Sequence, residues 1–283
     1  MRRIRLTDVT AVLVGLCWML SVASEVRAET RAADAASKAE YVMGIFPHLP
    51  PRAIEEIFGP MAKDLTAHIG RPVILASSTT FEKFSENLGR HQYDIAFVQP
   101  FEYVKIADQY GYVPLATRTE SLSGLIVTTL DSPLKTLADL KGKRLALPPE
   151  SAAISYLVRL HLKSKGLVAG KEVFISHQRS HISCMQQVII GEADACGTAA
   201  PSIRYFQNKM QVELRVIEST REIPSALFVA HPRIPKAERD RLRARIVSWS
   251  NTPEGRAILA RGELAPFKQI TDADYNGVRA LSK

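Results

Sequence analysis

The side chains best suited to chemistry here are seven histidines and three cysteines, and their spacing fits neither catalysis nor a strong metal site. No histidine pair has the HExxH spacing of a zinc helix. His181 and Cys184 lie three residues apart, on one face of a helix, and could touch a soft metal together. Two ligands fall short of a site, so neither metal nor cofactor is expected. GxSxG and P-loop patterns are missing, which leaves an enzyme without a residue set. What the sequence offers instead is a scatter of hydrogen-bonding groups: Ser78, Thr79, Thr80, Gln99, Ser123, Ser151, Ser180, His181 and Thr198. With Phe46 as an apolar neighbour, groups of this kind hold a small molecule without transforming it.

Their positions follow from the elements around them. From Tyr41 the hydrophobic pattern alternates between short apolar runs and helical stripes such as Ile54, Ile57, Phe58, Met61 and Leu65. Strands are expected at 41–46, 72–76, 94–98, 113–117, 122–130, 144–147, 172–176, 193–197, 212–218 and 225–230, most of them separated by helices. Such alternation implies an α/β fold with parallel sheets covered on both faces. So many strands exceed one comfortable sheet. The pattern runs twice, the second copy starting near Leu125, and then closes in helices expected near 235–250, 253–261 and 272–281. Two lobes account for this: lobe 1 from 41–121 and the returning segment 222–283, and lobe 2 from 122–221. The double crossing makes a hinge with a cleft between the lobes. In such sheets ligands sit beyond the carboxyl ends of strands, where Phe46-Pro47-His48, Ser78 to Thr80, Gln99 and Thr198 stand. Ser123 precedes a buried strand at the crossover. Phe46, Phe81 and Tyr103 are candidates for an apolar wall.

The first residues read as an export signal. Arg2, Arg3 and Arg5 precede an apolar run from Val9 to Val22, and Val26-Arg27-Ala28 offers a peptidase site, so 1–28 is expected to be a cleaved signal peptide. The run is shorter than the ~20 residues a membrane span needs. Residues 29–40 read as a disordered leader. Removing 1–28 lowers the formal charge from +8 to +6, with 33 basic against 27 acidic residues remaining. The densest basic run, PKAERDRLRAR, has acids interleaved at helical spacing and reads as a solvated helix face. No nucleic-acid motif accompanies it. Cys184 and Cys196 survive processing; an oxidising compartment permits a disulfide, and apolar surroundings equally suit buried thiols.

Four stretches, YDIAFVQPFEYV (93–104), LADLKGKRLALPP (137–149), SHISCMQQVIIGEADA (180–195) and NTPEGRAILARGELAPF (251–267), resemble in order the phosphate/phosphonate-binding, PhnD-like family of ABC-transporter periplasmic proteins. The resemblance implies a two-lobed type II periplasmic binding protein fold and no catalytic residues. It further implies a monomer that hands a small anionic ligand to an ABC permease; some relatives instead present an oxyanion, or an oxyacid such as arsenite, to a membrane sensor kinase. Family members carry a Ser-Thr-Ser triplet at the start of the helix after the LKGK strand. This chain has Glu150-Ser151-Ala152 there, so one hydroxyl survives, and Ser151 is either a ligand contact or a plain helix cap. His181 matches a family position that donates to the oxyanion. Pro201 and Ala226 stand where an aminoalkylphosphonate binder carries acids, which disfavours that ligand. Glu150 would repel a dianion, so a monoanion or neutral oxyacid is expected.

Overall fold

The structure, a computed structural model, describes residues 40–282. The expected signal peptide and all but the last residue of the expected leader lie outside the described residues.

The chain runs β1 (Tyr41–Ile45), α1 (Pro51–Ile69), β2 (Val73–Ser77), α2 (Phe81–Gly89), β3 (Ile95–Val98), α3 (Pro100–Tyr110) and β4 (Val113–Arg118). After a crossing come β5 (Leu125–Thr129), β6 (Lys143–Leu147), α4 (Ala153–Ser164), β7 (Val173–His177), α5 (His181–Ile189), β8 (Ala195–Thr198), α6 (Ala200–Met210) and β9 (Leu214–Ser219). The chain then crosses back into β10 (Leu227–Ala230), α7 (Lys236–Ser248), α8 (Pro253–Ala260), β11 (Phe267–Gln269) and α9 (Asn276–Leu281).

Two sheets result, in the orders β11-β4-β10-β3-β1-β2 and β7-β6-β8-β5-β9, giving the two lobes of a type II binding protein. Local signals explain the helices. Pro51 and Pro100 open α1 and α3, where a missing N–H does no harm. Gly70 and Gly111 end the same helices at φ 75° and 70°, the left-handed turn that glycine adopts without strain. The late helices hold to the first sheet through Asp64 of α1, whose carboxylate accepts from Arg245 and from Trp249 Nε1 at 2.8 Å. The basic run forms α7, where Asp240 pairs with Lys236 and Arg243 at 2.6 Å each.

The sheets are mixed where parallel ones are expected. β1, β2 and β3 run parallel, as do β6, β7 and β8. β10 runs antiparallel to β3 and β4, and β5 antiparallel to β8 and β9. The reversed strands are the ones the chain enters as it crosses between lobes, without the helical crossover that keeps neighbours parallel. The two crossings pair with each other: Leu122 and Ile223 exchange backbone hydrogen bonds of 2.8 and 2.9 Å. A second departure is β11, antiparallel to β4, inside a stretch expected to be helices and loops. Three residues are too few to show strand alternation.

Candidate functional site

The carboxyl ends of the strands converge on a cavity between the lobes, with about 490 Å³ of atom-free space that is partly open to solvent. On the first-lobe side lie Phe46 and His48 after β1, Phe81 at the start of α2, Phe97 of β3 and Gln99 after it. The second lobe contributes Ala153 and Ile154 from the start of α4, His181 from the start of α5, and Ser202 of α6. Arg118, the last residue of β4, also lines the cavity.

The phenylalanines form one wall: the Phe46 ring lies 5.6 Å from Phe97 and 6.0 Å from Phe81, and stacks on His48 at 4.3 Å. The polar groups beside this wall are neutral or paired. His48 Nδ1 lies 2.9 Å from the Phe46 carbonyl, which can only accept, so Nδ1 carries the proton and Nε2 a lone pair. Burial lowers the His48 pKa to about 4 against the opposing pull of that bond, and the Arg118 charge adds to the drop. His181 is buried, with Nδ1 3.0 Å from Thr198 Oγ1, and burial followed by the proximity of His48 lowers its pKa to about 3. Both imidazoles are neutral at pH 7. Arg118 donates from Nε and Nη2 to Ser225 Oγ at 3.1 and 2.9 Å, and pairs through Nη1 with Glu120 at 3.1 Å. Its charge is therefore already matched.

Gln99 spans the lobes. Its Oε1 accepts from the Ala153 N–H at 2.7 Å and its Nε2 donates to the Ser151 carbonyl at 2.9 Å. Close by, Ser151 Oγ donates to Glu82 Oε1 of α2 at 2.9 Å. The Ser151 hydroxyl thus faces the opposite lobe and does not cap α4, whose N-cap is Ala152. Glu150 pairs with Arg159 at 2.6 Å, which gives its charge a partner outside the cavity.

Among the sequence candidates, Phe46, Gln99 and His181 meet at the cavity, and Thr198 stands behind His181. Thr79 and Thr80 line an outer part of the cleft with His177 and Arg179, and Thr80 also caps α2 by accepting from Lys83 N. Ser180 caps α5 in a reciprocal pair with Ser183. Ser78 is tied to Tyr93 and Asn87, and Ser123 is half-buried at the crossing without lining the cavity. Phe81 joins the wall, whereas Tyr103 is buried elsewhere with its hydroxyl on Asp272. Arg118 and Phe97 were missed. The available signal for Arg118 was a lone cation closing the otherwise uncharged strand VPLATR just before the crossing.

Cys184 of α5 and Cys196 of β8 form a disulfide, with Cα atoms 5.7 Å apart. It ties together the two elements that carry His181 and Thr198. Among the described residues no helix is long and apolar enough to cross a membrane, and no group of three or more His, Cys, Asp or Glu is placed to hold a metal ion.

Comparison with known proteins gives this geometry a family. Residues 43–275 match the family described as the periplasmic substrate-binding protein of a phosphonate ABC transporter. PhnD1 from Prochlorococcus marinus, solved in complex with methylphosphonate, is similar in structure with a TM-score of 0.75 and 15% identity, over 86% of this chain and 97% of that one. A binding protein component of an ABC phosphonate transporter from Pseudomonas aeruginosa gives 0.76 and 16%, over 87% and 86%. A Xanthomonas citri protein solved bound to ATP gives 0.69 and 18%, over 87% and 96%. At such identities the structural likeness speaks to the fold.

Proposed function

This chain belongs to the family of periplasmic substrate-binding proteins of phosphonate ABC transporters, and from that premise we propose that its interlobe cavity captures a small, singly charged oxyanion or neutral oxyacid for delivery to a permease. The observation that carries the reading is the state of the polar groups in the cavity: two neutral histidines, and one guanidinium already matched by a carboxylate. A dianion would bury charge here with no unmatched cation to offset it, which is strongly unfavourable. A monoanion needs less. His181 offers Nε2, and the His48 lone pair can accept from a protonated oxygen of the ligand. Sequence reasoning gave repulsion by Glu150 as the ground for preferring single charge. With Glu150 paired to Arg159, charge matching inside the cavity takes over that role. Export by cleavage after Ala28 belongs to the same proposal, and protein recovered from the periplasm is expected to begin at Glu29 by intact mass.

A thermal-shift screen of methylphosphonate, phosphate and arsenite, followed by calorimetry at two pH values, tests the reading. A ligand at a hundred times its dissociation constant adds about 2.7 kcal/mol to stability. Binding is expected to tighten toward lower pH, where the monoanion prevails. A ligand held more tightly as its dianion at high pH would refute the assignment.

A further inference from the structure

Gln99 stands at the interlobe cavity. It follows β3 and stands at the N-cap of α3, yet its side chain makes no bond to its own helix. Instead the carboxamide reaches into the other lobe and is buried there, 7% exposed. The first N–H groups of any helix have no partner within it, and at the start of α4 the capping residue is Ala152, whose methyl cannot accept. The Ala153 N–H, at the first helical position, has no partner within α4 and stands at the positive end of a helix dipole, the arrangement that attracts an oxyanion. Gln99 Oε1 fills it at 2.7 Å, while Nε2 secures the Ser151 carbonyl at 2.9 Å. A neutral amide oxygen thus stands where a charged oxygen could sit, and the bond it makes crosses the cleft.

We infer that Gln99 is a specificity-determining residue whose carboxamide holds the lobes together at the start of α4 and denies that position to a doubly charged oxyanion. Two features support the role. The clasp is bidentate, using donor and acceptor together, which a single chance contact does not achieve. It is also reinforced alongside by Ser151 Oγ on Glu82, so two side chains meet the same segment from the first lobe. The inference rests on the chain being a ligand-binding clamp, but its test needs no cognate ligand and so fails separately from the proposed function.

The experiment compares ligand-free wild type with Gln99→Ala by small-angle scattering, by hydrogen exchange at the Ala153 amide, and by calorimetric titration with inorganic phosphate. Wild type is expected to scatter as the closed form with the Ala153 amide protected. In Gln99→Ala the radius of gyration increases, exchange at Ala153 accelerates roughly ten- to a hundredfold, as expected for losing two net hydrogen bonds, and phosphate affinity rises at least tenfold. Ser151→Ala keeps the backbone carbonyl that Gln99 uses and is expected to stay closed. Scattering and exchange in Gln99→Ala identical to wild type would overturn the inference, as would an open ligand-free wild type. Phosphate affinity unchanged in an opened Gln99→Ala overturns the specificity role. If Gln99→Ala fails to fold, Gln99→Asn, one methylene short of the clasp, carries the same test. Failure of wild type to bind methylphosphonate, phosphate or arsenite while the scattering and exchange results hold would sink the proposed function alone.

Discussion

The segment from Thr80 to Gln99 and the segment from Ser180 to Ala199 are the same piece of architecture placed once in each lobe. Each begins with a hydroxyl N-cap, Thr80 accepting from Lys83 N and Ser180 from Ser183 N. Each ends in a strand introduced by an aspartate, Asp94 or Asp194, that joins the next strand in the same way. Asp94 N–H donates to the Val42 carbonyl at 2.9 Å and its carboxylate accepts from Val42 N at 2.8 Å; Asp194 makes the same two bonds with Arg144, at 2.9 and 2.8 Å. Between those shared fixtures the chemistry diverges. Phe81 answers to His181 at the cavity, Gln99 to Ala199, and the buried pair Phe84 and Ala96 to the disulfide Cys184–Cys196. Capping and strand registration hold the scaffold in both copies, so the residues that face the cleft are free to differ. One copy supplies an aromatic wall and a latch, the other a neutral imidazole.

The largest expected effects probe what stands in for what in the two cores. Phe84 is 2% exposed and stacks on Tyr93 at 5.2 Å. Phe84→Ala is expected to destabilise by about 4 kcal/mol through lost burial and the cavity left behind. The disulfide closes a short loop, 12 residues in sequence separation, and Cys184→Ala with Cys196→Ala is expected to lose about 3 kcal/mol. Urea unfolding of both variants checks the pair. A disulfide removal without effect would mean that the second lobe does not rely on it as the first relies on Phe84.

Next come the aspartates, matched in bonding but not in burial. The Asp94 side chain is fully buried and also accepts from Arg233 at 2.6 Å, whereas that of Asp194 is 28% exposed. Asp94→Ala leaves the Val42 N–H without its carboxylate in a dry site and is expected to destabilise by about 3 kcal/mol. Water can reach the position of Asp194, so Asp194→Ala should lose about 1 kcal/mol. Equal losses would show that the exposed clasp is as dry as the buried one.

This comparison also explains what the sequence disclosed. Strand and helix alternation was legible because it rests on local periodicity. The reversed strands β5 and β10 were not, because direction within a sheet is set by how the chain crosses between lobes, and no local pattern records that. β11 was too short to register. At the cavity, Gln99 was singled out by its place after a strand, and His181 by the family position it matches. The state of each was hidden: that Gln99 turns into the other lobe, and that Ser151 turns to Glu82, depends on contacts 52 and 69 residues away in sequence. Arg118 was passed over because its partners, Ser225 and Glu120, meet it only in the folded hinge region.

The two faces of the cavity should also differ in what they contribute to affinity. A hydrogen bond to a charged ligand contributes about 1.5–3 kcal/mol, so His181→Ala is expected to weaken methylphosphonate binding roughly ten- to a hundredfold. Phe81→Ala at the equivalent position removes only apolar contact, and a loss of roughly fivefold is expected from the area involved. Calorimetry on both variants decides between them. A greater loss in Phe81→Ala would reverse the division of labour and make the aromatic wall the main determinant.

The smallest effect is a pH dependence that both lobes share, through His48 in the first and His181 in the second. In the unfolded chain each histidine titrates near 6.5. Folding lowers these values to about 4 and about 3, chiefly by burial. Below pH 6.5 the unfolded chain therefore binds protons that the folded chain does not, and stability falls with pH. The loss from His48 levels off near pH 4 and that from His181 near pH 3, where the folded protein also takes up the proton. Above pH 6.5 neither has an effect. One unit below that, at pH 5.5, each histidine is expected to lower stability by about 1 kcal/mol. His48→Phe and His181→Phe should each flatten the decline between pH 6.5 and 5, a window above most of the carboxylate titration. An anion bound between the two rings favours their protonation, so binding at pH 5.5 should be accompanied by proton uptake, detectable by calorimetry in buffers of different ionisation enthalpy. If His48→Phe leaves the decline as steep as in wild type while His181→Phe flattens it, the burial that holds histidine neutral belongs to the second lobe alone.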